Sequence, residues 1–304
     1  MTRSLKIWSL IVLLISSILG IGQQNYCPEK MLLINKYKSK DYIGAKLYLD
    51  TVLTKCPEQN DNAYYWHVSG FINYDIYMKV DNRSPLSKSR PEAVKSFIKS
   101  WELDVNKEYS DHNLRAIEFL TYGYHNDAVL YLDTLHFDES NKYYEEFKIL
   151  KKKVDPAYDF ISKDIEYHNA LASVLKEKYE NNKVQYKEYL DRAIENYNFV
   201  LSLDPNNYSA NYNLGIIYHN LGVDIILTEL DIEADLEKVI IMEDLAINHF
   251  TKSLPYLKKV HNIKPTDKSI VRGIAAVYYS LNDMEKHVEY MDVLRGLETP
   301  PNKE

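Results

Sequence analysis

The chain has 304 residues, with only 9 Gly and 10 Pro against 27 Tyr. So few breakers, in a chain rich in Leu, Ile, Lys and Glu, point to a mostly helical fold. A net charge of −7 without a long basic run argues against nucleic acid as a partner, and the Lys151-Lys152-Lys153 triplet, set among acidic residues, reads as a solvated helix face.

At the N-terminus Arg3 and Lys6 precede an apolar run from Ile7 to Gly22 that is interrupted only by small residues. This is the pattern of a secretory signal peptide over residues 1–22, with cleavage after Gly22. The run is about 16 residues long, short of the ~20 that a membrane span needs. The expectation is an exported chain, periplasmic or secreted, with no stable membrane span after cleavage; an uncleaved N-terminal anchor is the alternative. Cys27 follows Tyr26 rather than a small residue, which excludes a lipid-modified cysteine. Export permits a bridge between the two cysteines, Cys27 and Cys56.

The helical elements follow in chain order. A first helix is expected over 28–37, a turn over 38–40, and a return helix whose buried face is Ala45, Leu49 and Val52, with Pro57 beyond its end. A second, aromatic helix covers 62–77 with Gly70 allowing a close partner; after a polar break over 81–93 the return helix carries Ala93, Phe97, Ser100 and Trp101. A third pair is expected over 112–137, turning near Gly123, with Ala128, Leu132 and Leu135 in its return helix. An amphipathic helix over 141–153 then belongs to no pair.

The fourth pair starts near Pro156, has Tyr167, Leu171, Ala172 and Leu175 inward, and returns through Ala193, Tyr197 and Val200. Its helices are lengthened, with a polar tip at Asn181-Asn182. Asp204-Pro205-Asn206-Asn207 stops the return helix, because Pro205 offers no backbone donor and restricts the residue before it. In the fifth pair Leu214, Gly215 and Tyr218 lie on one face, Gly222 is placed to cap the first helix, and Ser253, Leu257, Val260 and Pro265 mark the return. The intervening insertion keeps a helical period through Leu236, Val239, Met242, Ala246 and Phe250. It reads as extensions of both helices meeting near Asp231 to Asp235, with Pro255 kinking or splitting the return helix. The last pair has Ile274, Ala275 and Tyr278 inward, turns at Asn282-Asp283, and carries His287 where a small residue is usual. Residues 299–304 read as a disordered polar tail.

A small residue, an aromatic or Leu four on, a small apolar residue three on and a Pro five on, followed by Leu-Gly and a Tyr, resembles the tetratricopeptide repeat. The resemblance implies an all-α fold over residues 23–298: a right-handed solenoid of about six antiparallel helix pairs, some lengthened. The order NLG, insertion, SLPYLKKV, IKPTDK, YYSLNDMEK is similar to a group of exported bacterial tetratricopeptide proteins with an extended penultimate repeat, which implies a binding scaffold. In such a pair the start of the first helix lies beside the end of the second, so a disulfide between Cys27 and Cys56 is expected; two buried free thiols are the alternative. The first helix of each pair lines the concave face. With Leu214, Gly215 and Tyr218 inward, the groove-facing residues are Tyr212, Ile216, His219 and Asn220 in the fifth pair. Their counterparts are Asn169, Ser173 and Lys176 in the fourth and Arg272, Ala276 and Tyr279 in the sixth. The subgroup of this family that grips a peptide's terminal carboxylate uses Lys, Asn and Arg at such places, and Tyr212, Ile216 and Ala276 argue against that mode.

No catalytic or metal-binding motif is present: the nine His are scattered, and there is no nucleophile elbow, phosphate-cradling glycine loop or paired-cysteine knuckle. The acidic run Glu229 to Glu237 lacks the Gly and alternating ligands of a calcium loop. The expectation is therefore a non-enzymatic scaffold without cofactor or metal, binding another protein or a peptide on its concave face. Tyr-rich faces suit helix packing, or alternatively a surface for a small ligand or glycan.

Overall fold

The computed structural model describes residues 27–133, 136–229 and 236–298. Among them the chain forms twelve α-helices: α1 Pro28–Lys38, α2 Tyr42–Lys55, α3 Ala63–Lys79, α4 Ser89–Leu103, α5 Ser110–Asp133, α6 Phe137–Val154, α7 Ile161–Asn181, α8 Lys187–Leu203, α9 Tyr208–Asp224, α10 Leu236–Ile263, α11 Lys268–Ser280 and α12 Met284–Glu298. A short 3₁₀ turn, Pro57–Asp61, precedes α3, and a π-helical segment, Ile225–Glu229, continues α9. The expected signal segment, the tail at 299–304 and the tip near Asp231 to Asp235 lie outside the described residues.

Local chemistry sets the boundaries. Pro28 occupies the first turn of α1, where its missing N–H costs nothing. Asp41, Asn62, Asn207 and Asp267 cap α2, α3, α9 and α11, each accepting from a backbone N–H two or three residues on. Lys40, Lys107 and Asn282 turn the chain with φ of 64°, 57° and 57°. Antiparallel partners then bury their shared faces, giving a tetratricopeptide-like, all-α stack of helix pairs.

Two compact units result, Met1–Asp127 with Tyr143–Pro156, and Ala128–Lys142 with Ala157–Glu304. The long helices α5 and α6 contribute to both. In the first unit the disulfide Cys27–Cys56 joins the start of α1 to the end of α2, with the Cα atoms 6.0 Å apart. Around it Leu33, Ala45, Leu49 and Val52 pack with Tyr65, Val68, Ile72 and Ile76 of α3. Gly70 lets α3 lie against the Phe97 ring, since a Cβ there would come within 2.5 Å of it. Lys151 of α6 pairs with Glu118 of α5 at 2.9 Å, and the Phe147 ring lies 5.9 Å from that of Tyr122. In the second unit Ser140 donates to the Ala128 carbonyl and Tyr167 donates to Asn141 Oδ1. There α7 pairs with α8, α9 with α10 and α11 with α12.

Four expectations are corrected. The third pair does not turn at Gly123: α5 runs unbroken through it, and the helix over 137–154 is its return partner. Glycine inside a helix costs only about 1 kcal/mol relative to Ala, which packing overrides. Gly222 does not cap α9 but lies inside it, where a Cβ would meet the Phe250 ring at 2.5 Å. Pro255 does not split α10, which continues from Leu236 to Ile263. The break expected over 81–93 is shorter, because α4 already starts at Ser89.

Candidate functional site

The residues expected to face a groove all lie in the second unit, on α7, α9 and α11, and the register of α9 places them. Ala210, Leu214 and Ile217 point to the cluster that holds Tyr197 and Val200 of α8. Gly215 and Gly222 face α10: Ser253 donates to the Gly215 carbonyl at 2.7 Å, and Leu257 and Phe250 fill the space left by the missing side chains. Tyr212 and Ile216 are half-buried against the cluster formed with Phe250, Leu257, Ile270 and Ile274. Tyr212 stacks on Tyr208, with ring centres 6.2 Å apart and planes within 6°.

Hydrogen bonds tie consecutive first helices together. Asn169 Nδ2 donates to Asn207 Oδ1 at 3.2 Å and Lys176 Nζ to Asn213 Oδ1 at 3.3 Å, linking α7 to α9. Tyr208 donates its hydroxyl to Asp267 Oδ2 at 3.2 Å, linking α9 to α11. Hydrogen bonds from the Ser269 hydroxyl and N–H hold the Asp267 carboxyl below its usual range.

Between these links Ser173, Asn220, Arg272 and Tyr279 are exposed. Arg272 reaches Glu298, the last residue of α12, at 3.1 Å. Tyr279 is 62% exposed and its ring lies 5.3 Å from His287, whose Nδ1 is 2.8 Å from the Ala275 carbonyl. His219 is placed differently. It is half-buried, 5.6 Å from the Phe250 ring, and burial pushes its pKa below the ordinary value.

Two features escaped the sequence. Asn213 extends the polar row through Ser209 and Asn220, a spacing of four and seven that was legible but lay beside the Leu-Gly signature. At the end of α9, Val223, Ile226 and Leu227 line an apolar cleft of about 450 Å³ together with Ile247, Phe250 and Tyr279. The exposure of Leu227 at 75% and Ile247 at 48% could be found only once α10 was in place.

The arrangement offers hydrogen bonds, the cations of Lys176 and Arg272, and apolar surface. His67 and His168 bond the amide oxygens of Asn113 and Asn196, and His287 bonds the Ala275 carbonyl. The group Cys27, Glu29, Cys56 has ligand-like spacing, but both sulfurs are committed to the disulfide. Tyrosine is chiefly packing: among the described residues only Tyr64 and Tyr279 are exposed. No described helix is long and apolar enough to cross a membrane.

Residues 187–222, spanning α8 and most of α9, match the family model of the TPR repeat. Among solved structures the chain is similar to PilW, a widely conserved type IV pilus biogenesis factor, at 14% identity over 90% of this chain and 94% of that one, with a TM-score of 0.34. It is also similar to human IFIT1 in a dimer with PPP-AAAA, at 17% identity over 86% of this chain and 69% of that one, with a TM-score of 0.23. Curated proteins contain no match. Residues 187–222 thus match one tetratricopeptide repeat, and the helices around it pair in the same antiparallel way.

Proposed function

We propose that residues 23–298 form an exported, non-enzymatic scaffold that binds another protein or a peptide along the face made by α7, α9 and α11. One observation carries the reading. Hydrogen bonds from Asn169 to Asn207, Lys176 to Asn213 and Tyr208 to Asp267 hold three first helices in register, with Ser173, Asn220, Arg272 and Tyr279 exposed on the same face. Stacked repeats of this kind present extended binding surfaces. Tyr279 also borders the apolar cleft, so polar recognition and an apolar anchor adjoin. Large exposed apolar side chains beside a polar rim are typical of protein-contact surfaces.

Export is supported by the N-terminal pattern of Arg3, Lys6 and the apolar run, and by the Cys27–Cys56 bridge, since disulfides persist in oxidising compartments. The test is cross-linking of the protein in its producing cell, comparing wild type with the Arg272→Ala, Tyr279→Ala double variant. Both side chains are exposed, so folding is expected to be unaffected. A specific adduct that the double variant loses supports the reading; an adduct of equal yield in both places the binding surface elsewhere.

A further inference from the structure

A second cleft, of about 330 Å³, lies in the first unit, remote in sequence from the α7–α11 face. The second helices α2 and α4 form its walls and α3 its floor. The base of the cleft is polar and buried: Ser69 and Asn73 of α3 and Ser96 of α4 are each 3% exposed or less. Ser69 and Ser96 satisfy each other at 3.1 Å, and Asn73 Nδ2 donates to the Ser69 carbonyl. Asn73 Oδ1 has no partner. An unpaired buried acceptor typically costs about 1–3 kcal/mol, so its place in the lining of a cleft is informative.

The rest of the lining is held in place. The indole N–H of Trp66 donates to the Asn60 carbonyl at 2.8 Å, which fixes the ring, and Lys46 is tethered to Ser89 at 3.0 Å. Around them stand Asp50, Glu92 and Lys95, none of which forms an ion pair among the described residues. The lining thus carries two cations, Lys46 and Lys95, and two carboxylates, Asp50 and Glu92.

The chemistry narrows the ligand by elimination. An anion would meet Asp50 and Glu92, and a cation would meet Lys46 and Lys95. An apolar molecule would bury Asn73, Ser69 and Ser96 without new partners. A neutral ring with hydroxyl groups on its edge and C–H groups on its face fits all of them. The hydroxyls donate to the carboxylates and to Asn73 Oδ1 and accept from the lysines, while the C–H face lies on Trp66. We propose that this cleft binds a neutral pyranose, as a free sugar or as one unit of a glycan. This site is independent of the protein-binding face and can fail or succeed without it.

The test titrates the purified protein with neutral hexopyranoses and N-acetylhexosamines, with a uronic acid and a free amino sugar as charged comparators, and follows tryptophan fluorescence. Trp66→Phe removes the reporter at the site and Trp101→Phe is the control. Asp50→Asn and Glu92→Gln, both at exposed positions, probe recognition without touching the core. The expected result is saturable binding of a neutral sugar in the millimolar range or tighter. The fluorescence change should vanish in Trp66→Phe and persist in Trp101→Phe, and each carboxylate variant should weaken binding about tenfold, or 1.4 kcal/mol. Three results overturn the proposal: no saturable binding by any neutral sugar, tighter binding of a charged sugar, or a signal that survives Trp66→Phe.

Discussion

The Arg90 guanidinium lies 3.8 Å from the centre of the Tyr124 ring and donates a short hydrogen bond to Asp127. Its side chain is 1% exposed and that of Asp127 12%. Tyr77 and Tyr143 place two more rings 5.5 Å away, and the Pro85 carbonyl accepts from Arg90 Nη2 and from the Tyr143 hydroxyl. A charge this deep is tolerated because one carboxylate and three aromatic faces replace its water.

Removing one partner leaves the other charge buried. Asp127→Ala is therefore expected to cost about 3–5 kcal/mol, whereas Arg90→Met combined with Asp127→Leu returns close to wild-type stability. Urea unfolding of the three proteins measures both effects. A single variant within about 1 kcal/mol of wild type would show that solvent already screens the pair.

Glycine substitutions read the helix contacts directly. Gly222→Ala puts a Cβ 2.5 Å from the Phe250 ring, in a core with no room for it, while Gly296, exposed in α12, has nothing within 4 Å. The first change is expected to destabilise by about 1–3 kcal/mol. The second is expected to stabilise by roughly 0.5–1 kcal/mol, the helix-propensity gain alone. Pairing Gly222→Ala with Phe250→Leu should recover part of the loss. Equal and opposite-to-expected melting shifts would refute the assignment of Gly222 to the α9–α10 contact.

These residues also mark where local pattern stops being informative. Ala193, Tyr197 and Val200 announced α8 because a buried face repeats with the helical period. Cys27 and Cys56 came together because pairing two helices brings their outer ends side by side. Gly123 and Gly222 looked like stops, since glycine is the usual residue at helix ends. Gly222 instead makes room for Phe250, distant in sequence, and Gly123 lies inside α5, where a Cβ would make only ordinary contact with Arg90 and Tyr77. Arg90 sat in a stretch that read as a polar break, and nothing near it in sequence signals that Asp127 would receive it. The α7–α9–α11 face shows the same division. Register put Tyr212 and Ile216 on the outer side, but their depth against Ile270 and Ile274 depends on how α11 packs.

The disulfide closes a loop with a sequence separation of 29. Chain entropy for a loop of that size contributes about 3–4 kcal/mol. Cys27→Ser with Cys56→Ser should lower stability by up to that amount, and reduction of the wild type should match it. The loss is expected to be local. Hydrogen exchange should quicken in α1 and α2, the two helices that the bridge joins, and change little in α11 and α12. Uniform loss of protection along the chain would mean that the first pair anchors the whole fold.

Histidine titration sets the last expectation. Burial is the largest cause lowering the pKa of both His67 and His219 from the ordinary 6.5, against the hydrogen bonds that His67 makes to Asn113 and His219 to Asn220. The unfolded chain then binds protons that the folded chain refuses, so stability rises with pH in the window between the lowered values and 6.5. Stability contributed by these two residues is present above that window and is lost as the pH falls through it. Urea midpoints measured from about pH 7.5 to about pH 5 should therefore decline, before most carboxylates titrate. His67→Asn and His219→Gln should each flatten the decline, whatever they do to stability at neutral pH. A slope unchanged in the double variant would assign the pH dependence to other groups and place both imidazoles in contact with solvent.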